Sequence, residues 1–515
     1  MALRPFWRRL LKGSVHTGWA ALVLLVLAWA VYGPSLNRVF ASDQIHYLAE
    51  LNGRTSFFEG LRHYDYAATR RYWKGDDALF RPLLFTWLAI GNRLFSYHHV
   101  WWNIANLAIH VLVALFLFRL LIAIRPSPFA LAAAALFLVL KPPMELVLWN
   151  HLGGYMLACL FLAIGLRAFV RLAVDDADRP TTGTRAQYAG GFAAASLCHE
   201  AMVLTSALTG MLLLALKWRR ARRLDAHAVL VAALPVLLFA VLYGFHIQRV
   251  ARLTYVDRPD AQGLFGLGNA ATVLPRSLSV TAKWTIELAT PSATTLIPST
   301  FGRFVKSVAF SWTSPLHLFN ALLALTAVVV IGSSASRRYL TRTAPLLVLV
   351  AGAMVAYAAV VCFGRAPDEV AGVTYYPYIF GFLLVIFAYS LVDFSRLRSW
   401  TAATTWLVII ALNAVETTAV ARESERVNHY PSLYLNRVIR FVDAHKPEPG
   451  FSFMIQPHPE TIDPAVVLIE GYPNDPRAAT RRLRLTEILF GPYYDQAQPM
   501  YVLDAAAERL APRSP

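Results

Sequence analysis

The feature that most constrains this chain is a succession of apolar runs, each long and nearly free of charge. They read as Thr17–Gly33, Trp101–Ile124, Phe129–Leu140, Tyr155–Val174, Tyr188–Cys198, Ala201–Leu216, Val229–Ile247, Leu316–Ile331, Leu346–Phe363, Tyr378–Val392 and Trp400–Thr418. A bilayer core about 30 Å thick takes roughly twenty helical residues per crossing. Of 515 residues, 57% are hydrophobic and 15% charged, against roughly a quarter charged in soluble domains. That excludes a disordered chain, a fibre and an ordinary soluble enzyme. The fold class expected is an all-α polytopic membrane protein with about eleven transmembrane helices. Two runs, starting at Phe129 and Tyr188, are short and should extend into flanking residues or tilt.

Charge orients the chain. Its 48 Lys and Arg outnumber 31 Asp and Glu, a net charge of +17. The excess collects in alternate connections: Arg4, Arg8, Arg9 and Lys12, then Arg119 and Arg125, then Arg171, Arg179 and Arg185, then Lys217–Arg223, then Arg337, Arg338 and Arg342, then Arg396 and Arg398. Cytoplasmic loops gather such residues, so the N-terminus is expected in the cytoplasm and the C-terminus outside. The same explanation removes nucleic acid as a partner. The start of the chain reads as an uncleaved first helix, because its apolar run is long enough to span. Cys159, Cys198 and Cys362 show neither metal-ligand spacing nor a disulfide framework.

The expected organisation is a transmembrane module over 1–419, with outward loops at 41–99 and 249–314, followed by an extracytoplasmic domain over 420–515. The loop 249–314 is broken by Gly, Pro and charge, and suits one or two interfacial or re-entrant helices. In the C-terminal part, NRVIRFVDAH has helical spacing, while FSFMIQ, AVVLIEG and MYVLD read as strands, so a small α/β appendage is expected.

Chemistry-bearing side chains gather at the outward ends of the spans: Asp43, Arg81, Lys141, Glu145, His151, His199, Glu200 and Arg365. They share one membrane depth, which suggests a roofed cavity. A transporter usually places ionisable groups within the membrane and often shows repeated halves; the sequence displays neither. Asp43 follows the first span directly. It suits either a helix N-cap or a carboxylate meeting substrate at the membrane surface. A helix starting there carries Asp43 and Tyr47 on one face.

Position and pattern together resemble the GT-C superfamily of polyprenyl-phosphate-dependent glycosyltransferases, in particular the lipid A aminoarabinose transferases and protein O-mannosyltransferases. Asp43 and Tyr47 match their first-loop acidic motif, with Gln44 in place of the second acid and His46 at a position often basic in the aminoarabinose transferases. FRPLLFTW resembles the family's basic-Pro-x-Leu element through Arg81, Pro82, Leu84 and Trp87. NLAIH matches through Asn106 and His110, and MELVLW through Glu145 and Trp149, with Lys141-Pro142-Pro143 before it. LCHEAMV resembles a Ser-Lys-Glu turn through Glu200, with His199 at the basic position. GVTYYPY lies before an outward-starting helix, without the Arg that often precedes the Tyr in relatives.

The resemblance implies transfer of a sugar from a polyprenyl-phosphate-linked donor to a cell-envelope glycan, lipid or protein acceptor, at the outer face of a bacterial inner membrane and with inversion. Asp43 then acts as general base. Arg81 and Arg365 bind the donor phosphate, a task for which a guanidinium's two parallel hydrogen bonds are suited. Tyr47, His46, Glu145, His199 and Glu200 bind substrate or support the others. A divalent cation, Mg or Mn, stays open, since the second acid is missing. Two other readings stand beside it. One is an O-antigen ligase or polymerase acting on a diphosphate-linked glycan through Arg276, Lys283 and Arg303 of the 249–314 loop. The other is a non-catalytic transporter of lipid-linked glycans.

Overall fold

A computed structural model describes residues 14–37, 80–95, 98–149, 152–174, 181–222, 226–253, 267–289, 337–362, 375–392, 404, 406–419 and 421–422, and the strand residues 452–455, 467–471, 483–487, 500–504 and 509–512. The helices are α1 (Ser14–Tyr32), α2 (Pro82–Phe95), α3 (His99–Ile124), α4 (Phe129–Val139), α5 (Pro143–Leu148), α6 (Gly153–Val174), α7 (Thr182–Cys198), α8 (Met202–Ala221), α9 (Ala226–Leu253), α10 (Leu267–Ala289), α11 (Arg337–Cys362), α12 (Pro377–Leu391) and α13 (Trp406–Ala419). Among the described residues, six helices are long and apolar enough to cross a membrane: α1, α3, α6, α8, α9 and α11. The chain is a polytopic helical membrane protein.

Every expected span that falls among the described residues lies on a helix there; Leu316–Ile331 falls outside them. The run starting at Tyr188 does extend into its flank. Its helix starts at Thr182, where the Thr181 side chain accepts the backbone N–H of Thr184 at 3.2 Å, a cap that satisfies one of the free amides of a first turn. The stretch 41–99 contains the helix α2 near its end. That helix buries Leu84, Phe85, Leu88, Ala89 and Gly91, and its few polar residues had disguised an amphipathic face. The 249–314 stretch contains α10, a continuous helix that carries Pro275 inside it.

The core is built around α6, which packs on α3 and α7. At the α6–α7 crossing two glycines let the backbones meet. A Cβ on Gly191 would lie 2.6 Å from the Gly165 amide nitrogen and 3.0 Å from the Phe161 carbonyl. Such small-residue crossings are how membrane helices gain contact without a hydrophobic driving force.

The end of α4 shows how the bundle handles a broken helix inside apolar surroundings. In a continued helix the carbonyls of Leu138 and Val139 would accept the N–H groups of residues 142 and 143. Both are prolines and have none. Side chains from other helices replace them. Tyr32 donates to the Leu138 carbonyl at 2.9 Å, His110 Nε2 reaches the same oxygen at 3.0 Å, and Thr417 donates to the Val139 carbonyl at 2.7 Å. Among the described residues no carboxylate faces His110, and a neutral ring at a buried site carries its proton on Nε2. Nδ1 then accepts from the Tyr378 hydroxyl at 2.9 Å. Polar residues therefore also occur within a span, away from the outward ends where the chemistry-bearing side chains gather. The physical reason is satisfaction of backbone carbonyls that water cannot reach.

In the C-terminal part, β1 (Ser452–Ile455), β4 (Met500–Asp504) and β5 (Arg509–Pro512) form one sheet, with β1 parallel and β5 antiparallel to β4. β2 (Val467–Gly471) pairs antiparallel with β3 (Leu483–Glu487). Three of these strands match the expected ones. β3 and β5 were not expected, although LRLTE alternates with a period of two. The expected helix NRVIRFVDAH lies outside the described residues.

Candidate functional site

The site starts from a proline. Pro82 occupies the first helical position of α2, where a missing N–H costs nothing, so Arg81 becomes the residue whose carbonyl accepts the first helical amide, from Phe85 at 3.1 Å. Phe80 anchors the approach by packing edge-on against Phe239 and Tyr243 of α9. On the other side, α2 lies tight against the start of α6. A Cβ on Gly153 would meet the Trp87 ring at 2.8 Å, and one on Gly154 would meet the Cys198 carbonyl at 3.0 Å and Leu84 at 3.2 Å. The Gly153–Gly154 pair thus brings the base of α2, the start of α6 and the end of α7 to one point.

There Arg81 meets Glu200, which sits in the tight turn joining α7 to α8. Arg81 Nε donates to Glu200 Oε2 at 2.7 Å and Nη2 donates to Oε1 at 2.6 Å, the two-pronged geometry of strong charge-assisted bonding. The side chains are 11% and 28% exposed. Burial pushes the Glu200 carboxyl up, but the charges of Arg81 and His199, together with the hydrogen bonds Arg81 donates, outweigh burial and hold the group well below the usual carboxylate range. Glu200 stays ionised at any physiological pH.

Aromatic rings line this pair. The Arg81 guanidinium lies over the Tyr155 ring, 5.6 Å from its centre, a cation–π contact strengthened by exclusion of water. Tyr155 in turn packs edge-on against His199 at 4.6 Å and Tyr375 at 5.6 Å. Tyr375 continues to Trp149 at 6.4 Å, and His199 to Tyr357 at 6.0 Å. The His199 Nδ1 accepts the Ala201 amide at 3.3 Å, which fixes the ring in the turn. Helix ends that are far apart in sequence therefore share one aromatic wall with a fixed cation against it.

Of the residues singled out from sequence, Arg81, His199 and Glu200 come together here. Glu145 lies in the first turn of α5, half-buried, and its helix reaches the wall through Trp149. Asp43, His46, Tyr47 and Arg365 lie outside the described residues, as do His151 and Arg303. Arg276 is exposed on α10. The partner of Glu200 is a residue not expected from sequence. The guanidinium of Arg81 takes that place, and the charge of His199 acts on the same carboxylate. Tyr155, Tyr357 and Tyr375 were missed as site residues. The only sequence signal for Tyr155 was the Gly-Gly step before it. Among the described residues no group of three His, Cys, Asp or Glu side chains gathers as a metal site.

Fold and site together define a multi-pass helical membrane protein with an oriented, aromatic-walled guanidinium at one end of its bundle. No family model matches the chain, and no curated protein matches it. Among solved structures it is similar to ArnT from Cupriavidus metallidurans bound to undecaprenyl phosphate, with a TM-score of 0.42 and 13% identity over 86% of this chain and 83% of that one.

Proposed function

We propose that the chain is a GT-C-type membrane glycosyltransferase that transfers a sugar from a polyprenyl-phosphate-linked donor to a cell-envelope glycan, lipid or protein at the extracytoplasmic face. The observation that carries this reading is the Arg81–Glu200 pair against Tyr155. A guanidinium held by a carboxylate on one edge and an aromatic face below cannot swing away as an ordinary interfacial arginine does, so its charge is fixed before substrate arrives. Preorganised charge of this kind lowers a barrier where negative charge develops.

In the proposed reaction an acceptor hydroxyl oxygen attacks the anomeric carbon and its proton passes to the Asp43 carboxylate. The bond from that carbon to the phosphate oxygen breaks, with inversion. The donor phosphodiester carries one negative charge and the departing polyprenyl phosphate two, so one unit of charge develops at the phosphate, and Arg81 is the group assigned to receive it. Arg365 is a second phosphate ligand in this reading. Glu200 orients Arg81, while Tyr47, His46, Glu145 and His199 bind or support the substrates. The domain over 420–515 is extracytoplasmic in the same scheme.

The test supplies the full chain, purified in lipid, with polyprenyl-phospho-sugars and envelope acceptors. Asp43→Asn is expected to abolish transfer while the protein stays folded by thermal melting. Undiminished turnover by Asp43→Asn, with loss in Arg276→Ala, would replace this reading by the diphosphate-linked one.

A further inference from the structure

We infer that Tyr357 is a positioning residue of the proposed transferase: its hydroxyl holds the aromatic wall that carries Arg81. The inference rests on the reading of Arg81 as the phosphate ligand. Tyr357 lies on α11 and is fully buried, at 0% exposure. Its hydroxyl donates to the Tyr376 carbonyl at 2.9 Å. Its ring faces His199 at 6.0 Å and Trp284 of α10 at 6.1 Å.

Packing does not call for this hydroxyl, because a phenylalanine would keep both ring contacts. A buried hydroxyl costs free energy unless it is bonded, so what it contributes is its bond. The backbone does not require that bond either. Tyr376 is the N-cap of α12, and an N-cap carbonyl already accepts the first hydrogen bond of its own helix. The bonds at the α4 break differ in this respect: there Tyr32, His110 and Thr417 serve carbonyls whose helical partners are prolines. The Tyr357 hydroxyl makes a second bond to a carbonyl already served, and its effect is to tie α11 to the start of α12.

That tie bears on Arg81 through the neighbouring residue. Tyr375 packs edge-on against Tyr155 at 5.6 Å, and the Arg81 guanidinium lies over the Tyr155 ring. Glu200 fixes one edge of the guanidinium, and the plane of Tyr155 fixes its tilt. Tyr155 is itself held from two sides, by Tyr375 and by His199 at 4.6 Å. Tyr357 reaches both supports, His199 with its ring and the Tyr375–Tyr376 turn with its hydroxyl. The contacts form a closed circuit, which resists shear as an open row of rings does not. Removing the hydroxyl opens the circuit beside Tyr375, and a misplacement of about 1 Å at a reacting group can cost about a hundredfold in rate.

The experiment measures turnover of the polyprenyl-phospho-sugar that the wild type consumes, with the full chain in lipid, beside thermal melting. Tyr357→Phe should lower kcat about ten- to a hundredfold. It should shift the donor KM less than about threefold, since an interaction needed as charge develops shows in kcat. Tyr389→Phe is the matched control: it removes a bond of the same kind, 2.8 Å to the Arg125 carbonyl, at the far end of α12. That variant should melt lower and keep kcat within about twofold. Tyr375→Leu should lower kcat as well, and adding Tyr357→Phe to it should cost less than about twofold more, because residues acting through one another are not additive. Equal kcat losses in Tyr357→Phe and Tyr389→Phe would make Tyr357 purely structural and overturn the inference. Losses that multiply in the Tyr357→Phe/Tyr375→Leu variant would overturn the route through Tyr375. If Tyr357→Phe does not fold, full turnover by Tyr375→Leu overturns the inference in its place. A wild type that consumes no polyprenyl-phospho-sugar overturns the transferase reading itself, and this inference with it.

Discussion

Arg81 and Glu200 stand 119 residues apart in the chain and meet through two parallel hydrogen bonds of 2.7 and 2.6 Å. The pair joins the start of α2 to the α7–α8 turn. It does two things at once: it closes that end of the bundle and it fixes the orientation of a cation. The two roles separate experimentally.

The orienting role predicts different fates for two substitutions. Arg81→Ala removes the charge at the proposed phosphate site and is expected to lower donor turnover about a hundred- to a thousand-fold. Arg81→Lys keeps a charge but cannot reproduce the two-pronged fork, so it should be impaired yet active. Donor consumption by both variants, with folding checked by melting, tests this. Equal rates for the two would remove Arg81 from the chemistry.

The closing role predicts a pH signature. Glu200→Gln leaves the nearly buried guanidinium without its counter-charge and should cost on the order of 2 kcal/mol at neutral pH. The folded Glu200 carboxyl sits below its unfolded value, so the stabilisation is fully present above about pH 5 and declines as pH falls below about 4.3, where the unfolded chain takes up the proton first. Melting curves of wild type and variant should therefore converge on acidification. A gap that stays constant from pH 7 to pH 3.5 would mean that the pair contributes nothing through its charge.

The α4 break predicts costs at residues far from the proposed chemistry. His110→Phe keeps a ring but strands the Tyr378 hydroxyl and removes one donor from the Leu138 carbonyl, an expected loss of about 2 kcal/mol. Thr417→Val leaves the Val139 carbonyl without its donor and should cost about 1 kcal/mol. Both variants should retain the wild-type affinity for donor if they fold. A large change in affinity with unchanged melting would give His110 a functional role instead.

Two adjacent glycines predict opposite outcomes. Gly191→Ala forces a methyl against the backbone of Gly165 and Phe161, which cannot yield as a side chain does, and should destabilise by about 3 kcal/mol. Gly190→Ala meets nothing within 4 Å and should be neutral or stabilise by up to about 1 kcal/mol through helix propensity. Urea or thermal unfolding of the two variants in the same lipid settles the comparison.

Local composition was enough to identify most of the helices. α3, α6, α9 and α11 could be read because apolar length is a property of consecutive residues, and a bilayer demands about twenty of them. α2 was hidden because its apolar face is shared with polar residues over a short stretch, and its packing on α3, α6 and α7 is what shows which face is buried. The same holds for the site. Arg81, His199 and Glu200 could be picked out one at a time by residue type and position at span ends. That Arg81 pairs with Glu200 was not readable, because pairing depends on where helices cross. Gly153, Gly154, Gly165 and Gly191 set those crossings by letting backbones touch. That Tyr32, His110 and Thr417 supply the donors that Pro142 and Pro143 lack was not readable either. Sequence alone determined how many apolar residues lie together and where charge interrupts them. Tertiary structure alone decided which distant polar groups satisfy one another, because in a medium without water each buried polar group must find its partner in another part of the chain.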